Sequence, residues 1–564
     1  MLEQIKRRLQ WIYGDKLSPE IMDKYLSVLE KHKQDRRPNA LWDEKDVFLI
    51  SYGDSLLKDG EKPLETLHHF VREKLSEAIS IVHILPFFPY SSDDGFSVID
   101  FTQVNPELGN WDNIKALTQD FRLMADLVIN HISAKSEWMQ EFLRGESPGK
   151  DYILTVDKDF DYSQVVRPRS TPLLTPFNTP SGKKMVWTTF SADQIDLNYH
   201  NPELMLAMLD ILLTYIDKGI SIIRLDAIAF LWKRSGTACL HEPETHEAVK
   251  LMRDVIDYCA PGTILLTETN VPHHENISYF GQGDEAHMVY QFALPPLLLH
   301  ALHTGNSTYL TQWAATLEDP GKDRTYFNFT ASHDGIGVRP LEGLLPEEEK
   351  TALFEKMKAF GGRINTRRTV DGQDVPYELN ITYYDALKGT QDGEDAYQIP
   401  RFITSQIIMM SLQGIPAIYI HSLLGTHNDQ EGVAQTGQNR SINRRKWNYE
   451  EISSLIANPE SDHAQVFEIL SGILKIRRGE KAFHPDAAQS IIEANESLFV
   501  IYRTDEKSGE AILSVSNMRA ESITVSFDGF EGSYQDLILG EMMNLKALKL
   551  EPYQTVWLKQ EGKA

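Results

Sequence analysis

Eight short apolar runs, each with a helix-like segment following or nearby, predict an α/β protein built on a (β/α)8 TIM barrel. The runs span residues 47–52, 79–86, 123–130, 220–227, 264–267, 287–292, 326–331 and 415–421. They are near-continuous rather than alternating, as expected of strands covered on both faces. Two long intervals between runs predict inserted loop domains. The first separates the third and fourth runs and holds the Pro- and Thr-rich stretch 167–180; the second runs from Asp334 to Ile399 and holds the polar stretch 363–374. Insertions at the C-terminal ends of barrel strands overhang the face where barrel enzymes react.

The remaining elements follow the same logic. Residues 206–216 (LAMLDILLTYI) are too long for a typical strand and read as a largely buried helix. Leu2, Ile5, Leu9 and Ile12 recur at helical spacing among charges, which predicts an N-terminal amphipathic helix. Past about residue 485 the pattern shortens: 497–502, 511–515, 523–527 and 555–558 read as strands of a C-terminal antiparallel β domain. The implied division is a helical extension over 1–44, a barrel over 45–131, 200–335 and 400–484, insertions over 132–199 and 336–399, and the β domain over 485–564.

Composition narrows the function class. The 564 residues carry 56 Lys and Arg against 81 Asp and Glu, a net charge of −25. That sign works against nucleic-acid and anionic-membrane partners, whose affinity is dominated by phosphate contacts. No apolar stretch reaches the ~18 residues of a membrane-spanning helix. The first residues lack the apolar core and small-residue cleavage site of a signal peptide, so a cytoplasmic location is expected. Cys239 and Cys259 are the only cysteines, too few for a disulfide framework or a cysteine-rich zinc site. H-x-x-x-H pairs, EF-hand loops, phosphate-cradling G-x-x-x-x-G-K loops and dinucleotide fingerprints are all missing, and neither metal nor organic cofactor is expected.

Three carboxylates sit at or just past strand ends: Asp226 in Arg224–Leu225–Asp226, Glu268 after Thr267, and Asp334 after His333. A lone acid there is ordinarily a helix cap or a solvated loop residue. Three, on different strands of one barrel, converge on the funnel in which a substrate would lie. Arg224 shares the strand and face of Asp226, where a guanidinium favours ionisation and fixes orientation. His131 and His333 add imidazoles at comparable rim positions.

The stretch from Asp126 to His131, with Arg224–Asp226, Glu268 and His333–Asp334, resembles the signature regions of the α-amylase superfamily of glycoside hydrolases and transglycosylases. The resemblance narrows to the sucrose phosphorylase family, with its glucosylglycerate and glucosylglycerol phosphorylases. It is carried by residues 83–88 (HILPFF), 93–96 (DDGF), 292–297 (FALPPL), 333–337 (HDGIG) and 442–444 (INR), and covers roughly residues 45–560. It implies Asp226 as nucleophile, Glu268 as general acid/base and Asp334 as transition-state stabiliser of a retaining transfer through a covalent β-glucosyl enzyme. Asp226 is then expected to stay ionised beside Arg224, and Glu268 to have a raised pKa.

The same resemblance assigns a first glucosyl subsite to Asp93, Arg444, His131 and His333, lined by Phe96, Phe190 and Gln194, with Arg224 beneath. On the acceptor side it points to Tyr377, with Glu378, Phe230 and Asn270 standing where the sucrose-specific enzymes carry glutamine, tyrosine and histidine. The stretches 226–230 and 268–270 resemble the glucosylglycerate type, whereas Glu378 would suit a neutral polyol. Arg169 and Arg167 on the first insertion, and Arg363, Arg367 and Arg368 on the second, offer forks of N–H donors suited to phosphate or a carboxylate. For the loop arginines the alternative is a purely solvated role.

The expected activity is a retaining α-glucoside phosphorylase that releases α-D-glucose 1-phosphate from glucosylglycerate or glucosylglycerol. Sucrose is the alternative donor, and an α-glucosidase or transglucosidase with the same triad the alternative reaction. A silent scaffold barrel is a third reading, and the complete carboxylate set argues against it. The partners expected are a small glucoside and inorganic phosphate, for a monomer or homodimer.

Overall fold

The computed structural model describes residues 1–35, 40–369 and 371–560. Parts of the extension expected over 1–44, the insertion over 336–399 and the β domain over 485–564 therefore lie outside the described residues, at 36–39, 370 and 561–564. Eight parallel strands close into a barrel. In chain order they are β1 Phe48–Ser51, β2 Ile81–Ile84, β3 Arg122–Val128, β4 Ile222–Asp226, β5 Ile264–Thr267, β6 Met288–Tyr290, β7 Thr325–Phe329 and β8 Ile415–Tyr419. Each neighbours the next, and β8 returns to β1. β1, β2, β4, β5, β7 and β8 are buried along their whole length, which is why their sequences do not alternate.

All eight apolar runs thus become barrel strands, most with trimmed ends. The second run stops at Ile84, short of Pro86, which has no N–H to give a ladder. The third stops at Val128, and the chain then changes partner: His131–Ser133 pairs antiparallel with Gln194–Asp196, outside the barrel. Residues 206–216 lie in the helix Pro202–Asp217, as expected.

Both long intervals carry strands of their own. The first contains a hairpin, Leu174–Thr179 with Gly182–Trp187. In the second, Arg363–Arg368 pairs with Asp374–Asn380, which also pairs with Ile336–Gly337 directly after the β7 end.

At the N-terminus, α1 (Leu2–Tyr13) buries Ile5, Leu9 and Ile12. It packs against the helix Pro243–Cys259, where Arg8 meets Asp254, Glu247 at 2.8 Å and Asp284 at 3.2 Å. α2 (Pro19–His32) lies along Pro202–Asp217, its Tyr25 hydroxyl donating to the Pro202 carbonyl at 2.6 Å. The C-terminal strands form a six-stranded antiparallel sheet with a separate apolar cluster around Leu498, Leu513, Val515 and Leu558. The expected strand over 523–527 departs from this plan: it is only Ile523–Val525 and pairs with Leu548–Leu550 in a sheet apart.

Candidate active site

The site is built around one buried guanidinium. β4 projects Arg224 and Asp226 to the same side, two residues apart. Arg224 Nη1 donates to Asp226 Oδ1 at 2.9 Å and to Asp126 of β3; Nε donates to the Tyr290 hydroxyl at 2.9 Å, and Nη2 lies 3.9 Å from Glu268 Oε2. Asp126 is braced in turn by His83 of β2 at 2.6 Å. Ala227, at φ 49° just past the β4 end, turns the chain so that its N–H donates to Glu268 Oε2 at 3.1 Å. Asp226 and Glu268 are thus held from one hub on adjacent strands.

Their electrostatics meet the sequence expectation for Glu268 and depart from it for Asp226. Burial pushes the Glu268 carboxyl up to about 7, Asp226 and Asp334 adding to the rise and Arg224 opposing it. Asp226, expected to stay ionised beside Arg224, is also pushed up to about 7. Burial is the largest cause, and the carboxylates of Asp126 and Asp334 add to what Arg224 offsets. Arg224 is divided among several acids, so no single one receives its whole charge.

Asp334 is the contrast. Burial opposes its charge, but Arg440, Arg444 and Arg224 outweigh it and hold the carboxyl below its ordinary value. Arg440 Nη1 stands 2.6 Å from Asp334 Oδ1, an ion pair out of hydrogen-bonding alignment. The same guanidinium clasps Glu378 through two N–H donors, both at 2.9 Å. Glu378 is 1% exposed and also accepts from Asn365 Nδ2 at 2.7 Å, so its charge is already matched within the protein. Sequence reasoning missed Arg440. The available signal was its place one helical turn before Arg444, on the turn Asn439–Asn443.

At the other end the cleft narrows around aromatic rings. Phe96 stacks on His333 with centroids 4.6 Å apart and planes 4° from parallel. His131 Nε2–H donates to the Phe96 carbonyl at 2.8 Å, and Gln194 Nε2 reaches the same oxygen at 3.1 Å. Burial holds both histidines below their ordinary pKa and therefore neutral. Gly95 has φ +113°, and a Cβ there would stand 2.7 Å from the Pro86 carbonyl, so the 93–96 turn requires glycine. Asp93 and Asp94 precede it at φ 50° and 46°. The expected Asp93–Arg444 pair measures 3.6 Å, whereas Asp94 holds Arg444 at 2.7 Å. Arg444 Nε also donates to the His333 carbonyl at 2.8 Å.

These groups enclose a cleft of about 820 Å³, open to solvent. It is lined by the three carboxylates and by every candidate of the glucosyl subsite and acceptor side except Arg224 and Arg444. Phe190 packs 5.2 Å from His131 and 5.5 Å from Phe230. Arg169 lies over the rings of Phe190 and Tyr377, at 5.6 and 5.2 Å. The loop arginines divide. Arg167, Arg169 and Arg367 line the cleft, while Arg363 and Arg368 do not, Arg368 pairing with Asp374 at 3.0 Å on the exposed rim. Arg339, which carried no sequence signal, also lines it. Among the described residues no cluster of three or more His, Cys, Asp or Glu side chains is arranged to hold a metal ion. None of their helices is long and apolar enough to cross a membrane.

Residues 77–334 match the alpha amylase catalytic domain. The chain is 45% identical over 558 residues to a glucosylglycerate phosphorylase of Allomeiothermus silvanus, covering 99% of this chain and 98% of that one. It is 32% identical over 508 residues to a sucrose phosphorylase of Agrobacterium vitis, covering 85% and 97%. In fold it is similar to the crystal structure of a sucrose 6F-phosphate phosphorylase from Thermoanaerobacter thermosaccharolyticum, with a TM-score of 0.74, 24% identity, and 90% and 98% of the two chains covered. The chain belongs to the sucrose phosphorylase family of the α-amylase superfamily, which includes its glucosylglycerate phosphorylase relatives.

Proposed function

We propose that this protein is a retaining glucosylglycerate phosphorylase, converting a 2-O-α-glucosyl glycerate and inorganic phosphate to glycerate and α-D-glucose 1-phosphate. The observation that carries the reading is a cleft with two differently built ends joined by the Asp226–Glu268 pair. Rings and neutral imidazoles close one end around a single sugar, and guanidiniums line the other. The 45% identity to a glucosylglycerate phosphorylase supports that donor.

In the reaction, the Asp226 carboxylate attacks the anomeric carbon while Glu268 gives its proton to the glycosidic oxygen, so glycerate leaves as an alcohol. Glu268, now ionised, takes a proton from the incoming phosphate, whose oxygen attacks the same carbon and frees Asp226. Two inversions retain the α configuration. The raised pKa of Glu268 suits an acid that works near neutrality. Asp334, kept charged by Arg440 and Arg444, steadies the positive charge that develops on the ring. Asp93, His131, His333 and Arg444 hold the glucosyl unit, and Arg169 with Tyr377 receives the phosphate.

We propose that the chain divides at the boundaries its sequence suggests; Arg167 and Arg169 of the first insertion and Arg367, Tyr377 and Glu378 of the second line the cleft. On this reading the enzyme works in the cytoplasm as a monomer or homodimer, consistent with two buried free cysteines. The test is glucose 1-phosphate release from glucosylglycerate, glucosylglycerol and sucrose, each with and without inorganic phosphate. Phosphate-dependent release, fastest from glucosylglycerate, is expected. Free glucose at the same rate without phosphate would make the protein a hydrolase and overturn the reading.

A further inference from the structure

In a 2-O-α-glucosyl glycerate the carboxylate carbon is bonded directly to the carbon bearing the glycosidic oxygen. When that oxygen meets Glu268, the carboxylate must lie beside Glu268 as well. An unmatched anion there would be costly in a buried site and would push the already raised Glu268 carboxyl higher still. A guanidinium is therefore needed next to Glu268, besides any that serves phosphate.

The fold brings one, Arg339, into the same cleft as Glu268. Asn270 follows Glu268 by two residues, and the segment Ile336–Gly337 is pressed against it. A Cβ on Gly337 would stand 2.5 Å from both the oxygen and the nitrogen of the Asn270 amide. Arg339 begins the turn Arg339–Leu341 two residues further on and lines the cleft with its side chain 14% exposed. Among the described residues its one carboxylate partner is Glu275, at 3.5 Å, which His241 also engages at 3.1 Å. Most of the Arg339 fork is thus left for a ligand. Asn270 Oδ1 is buried without a hydrogen-bond partner, an acceptor ready for a hydroxyl of the leaving group. Arg169 is differently placed: it lies over the rings of Phe190 and Tyr377, and its Nη1 donates to the Pro168 carbonyl.

We propose that Arg339 reads the carboxylate of the leaving group and is the residue that separates anionic from neutral 2-O-α-glucosides. The inference rests on the phosphorylase reading above. Glucosylglycerol is the matching probe, because it carries a CH2OH group where glucosylglycerate carries the carboxylate. The measurement is kcat/KM for both donors, with phosphate fixed and saturating, in wild type, R339Q, R339K and E275Q.

R339Q is expected to lower the glucosylglycerate-to-glucosylglycerol ratio of kcat/KM about tenfold or more, mainly through KM, as loss of a charge-assisted hydrogen bond predicts. R339K should recover part of it, and E275Q should keep the ratio at or above the wild-type value. A ratio unchanged in R339Q overturns the proposal. So does an E275Q that reproduces the R339Q loss, because Arg339 would then act only by bracing Glu275. A wild-type enzyme with no phosphate-dependent release from either glucoside overturns the parent reading as well, and that result is read before any variant is made.

Discussion

Replacing Glu268 by glutamine should make the protein more stable at alkaline pH while abolishing transfer. The rise of the Glu268 carboxyl from 4.5 to about 7 means that ionising it in the folded protein is harder than in the unfolded chain. For a raised carboxyl, the stabilising contribution is complete below the unfolded value and is lost as pH climbs from about 4.5 through about 7. The loss amounts to ~3 kcal/mol once pH is well above 7. Glutamine keeps the shape and cannot ionise, so E268Q escapes that penalty. In a chain of 564 residues, ~3 kcal/mol corresponds to a melting-point difference of ~2 °C. Differential scanning calorimetry of both proteins at pH 5 and pH 8.5 reads it. The gap should be small at pH 5 and open in favour of E268Q by pH 8.5. Parallel curves, or a gap that opens toward acid, would refute the argument that burial is what raises this carboxyl.

Two further outcomes follow from other ion pairs. R440Q leaves Glu378 buried without its bidentate partner and should cost about 3–5 kcal/mol of stability by denaturant titration. Pairing it with E378Q should restore most of that stability but not glucosyl transfer, since Asp334 has still lost the 2.6 Å guanidinium. R8M leaves Asp254, Glu247 and Asp284 together without the guanidinium they share. It should loosen α1, seen as faster limited proteolysis near residue 14, while turnover at 25 °C stays at the wild-type level because Arg8 lies away from the cleft.

The eight strands were legible because a strand buried on both faces announces itself locally, as a short run with few polar residues. The alignment of Arg224 with Asp226 was legible for a similar reason, since strand periodicity alone puts them on one face. The strand expected at 523–527 forms over Ile523–Val525, and its pairing with Leu548–Leu550 was not legible, because pairing depends on which distant segment comes alongside. Arg440 was invisible for that reason too. Its partners Asp334 and Glu378 lie on other segments, and only the closure of the second insertion over the barrel brings all three together.

The charge state of the site belongs to the same class. From sequence, Arg224 beside Asp226 argued for a low pKa, and the pair is indeed formed at 2.9 Å. What reverses the outcome is how much water the folded loops exclude, together with Asp126 and Asp334 arriving from β3 and the β7 end. The sequence by itself therefore determined the barrel, the three carboxylates and their order, because each is written in a few neighbouring residues. Only the tertiary structure decided that Asp94 holds Arg444 more closely than Asp93 does, that Arg440 locks Glu378, and that Arg339 lines the cleft. Those are contacts between remote segments, and desolvation and charge pairing take their values only once the chain has closed.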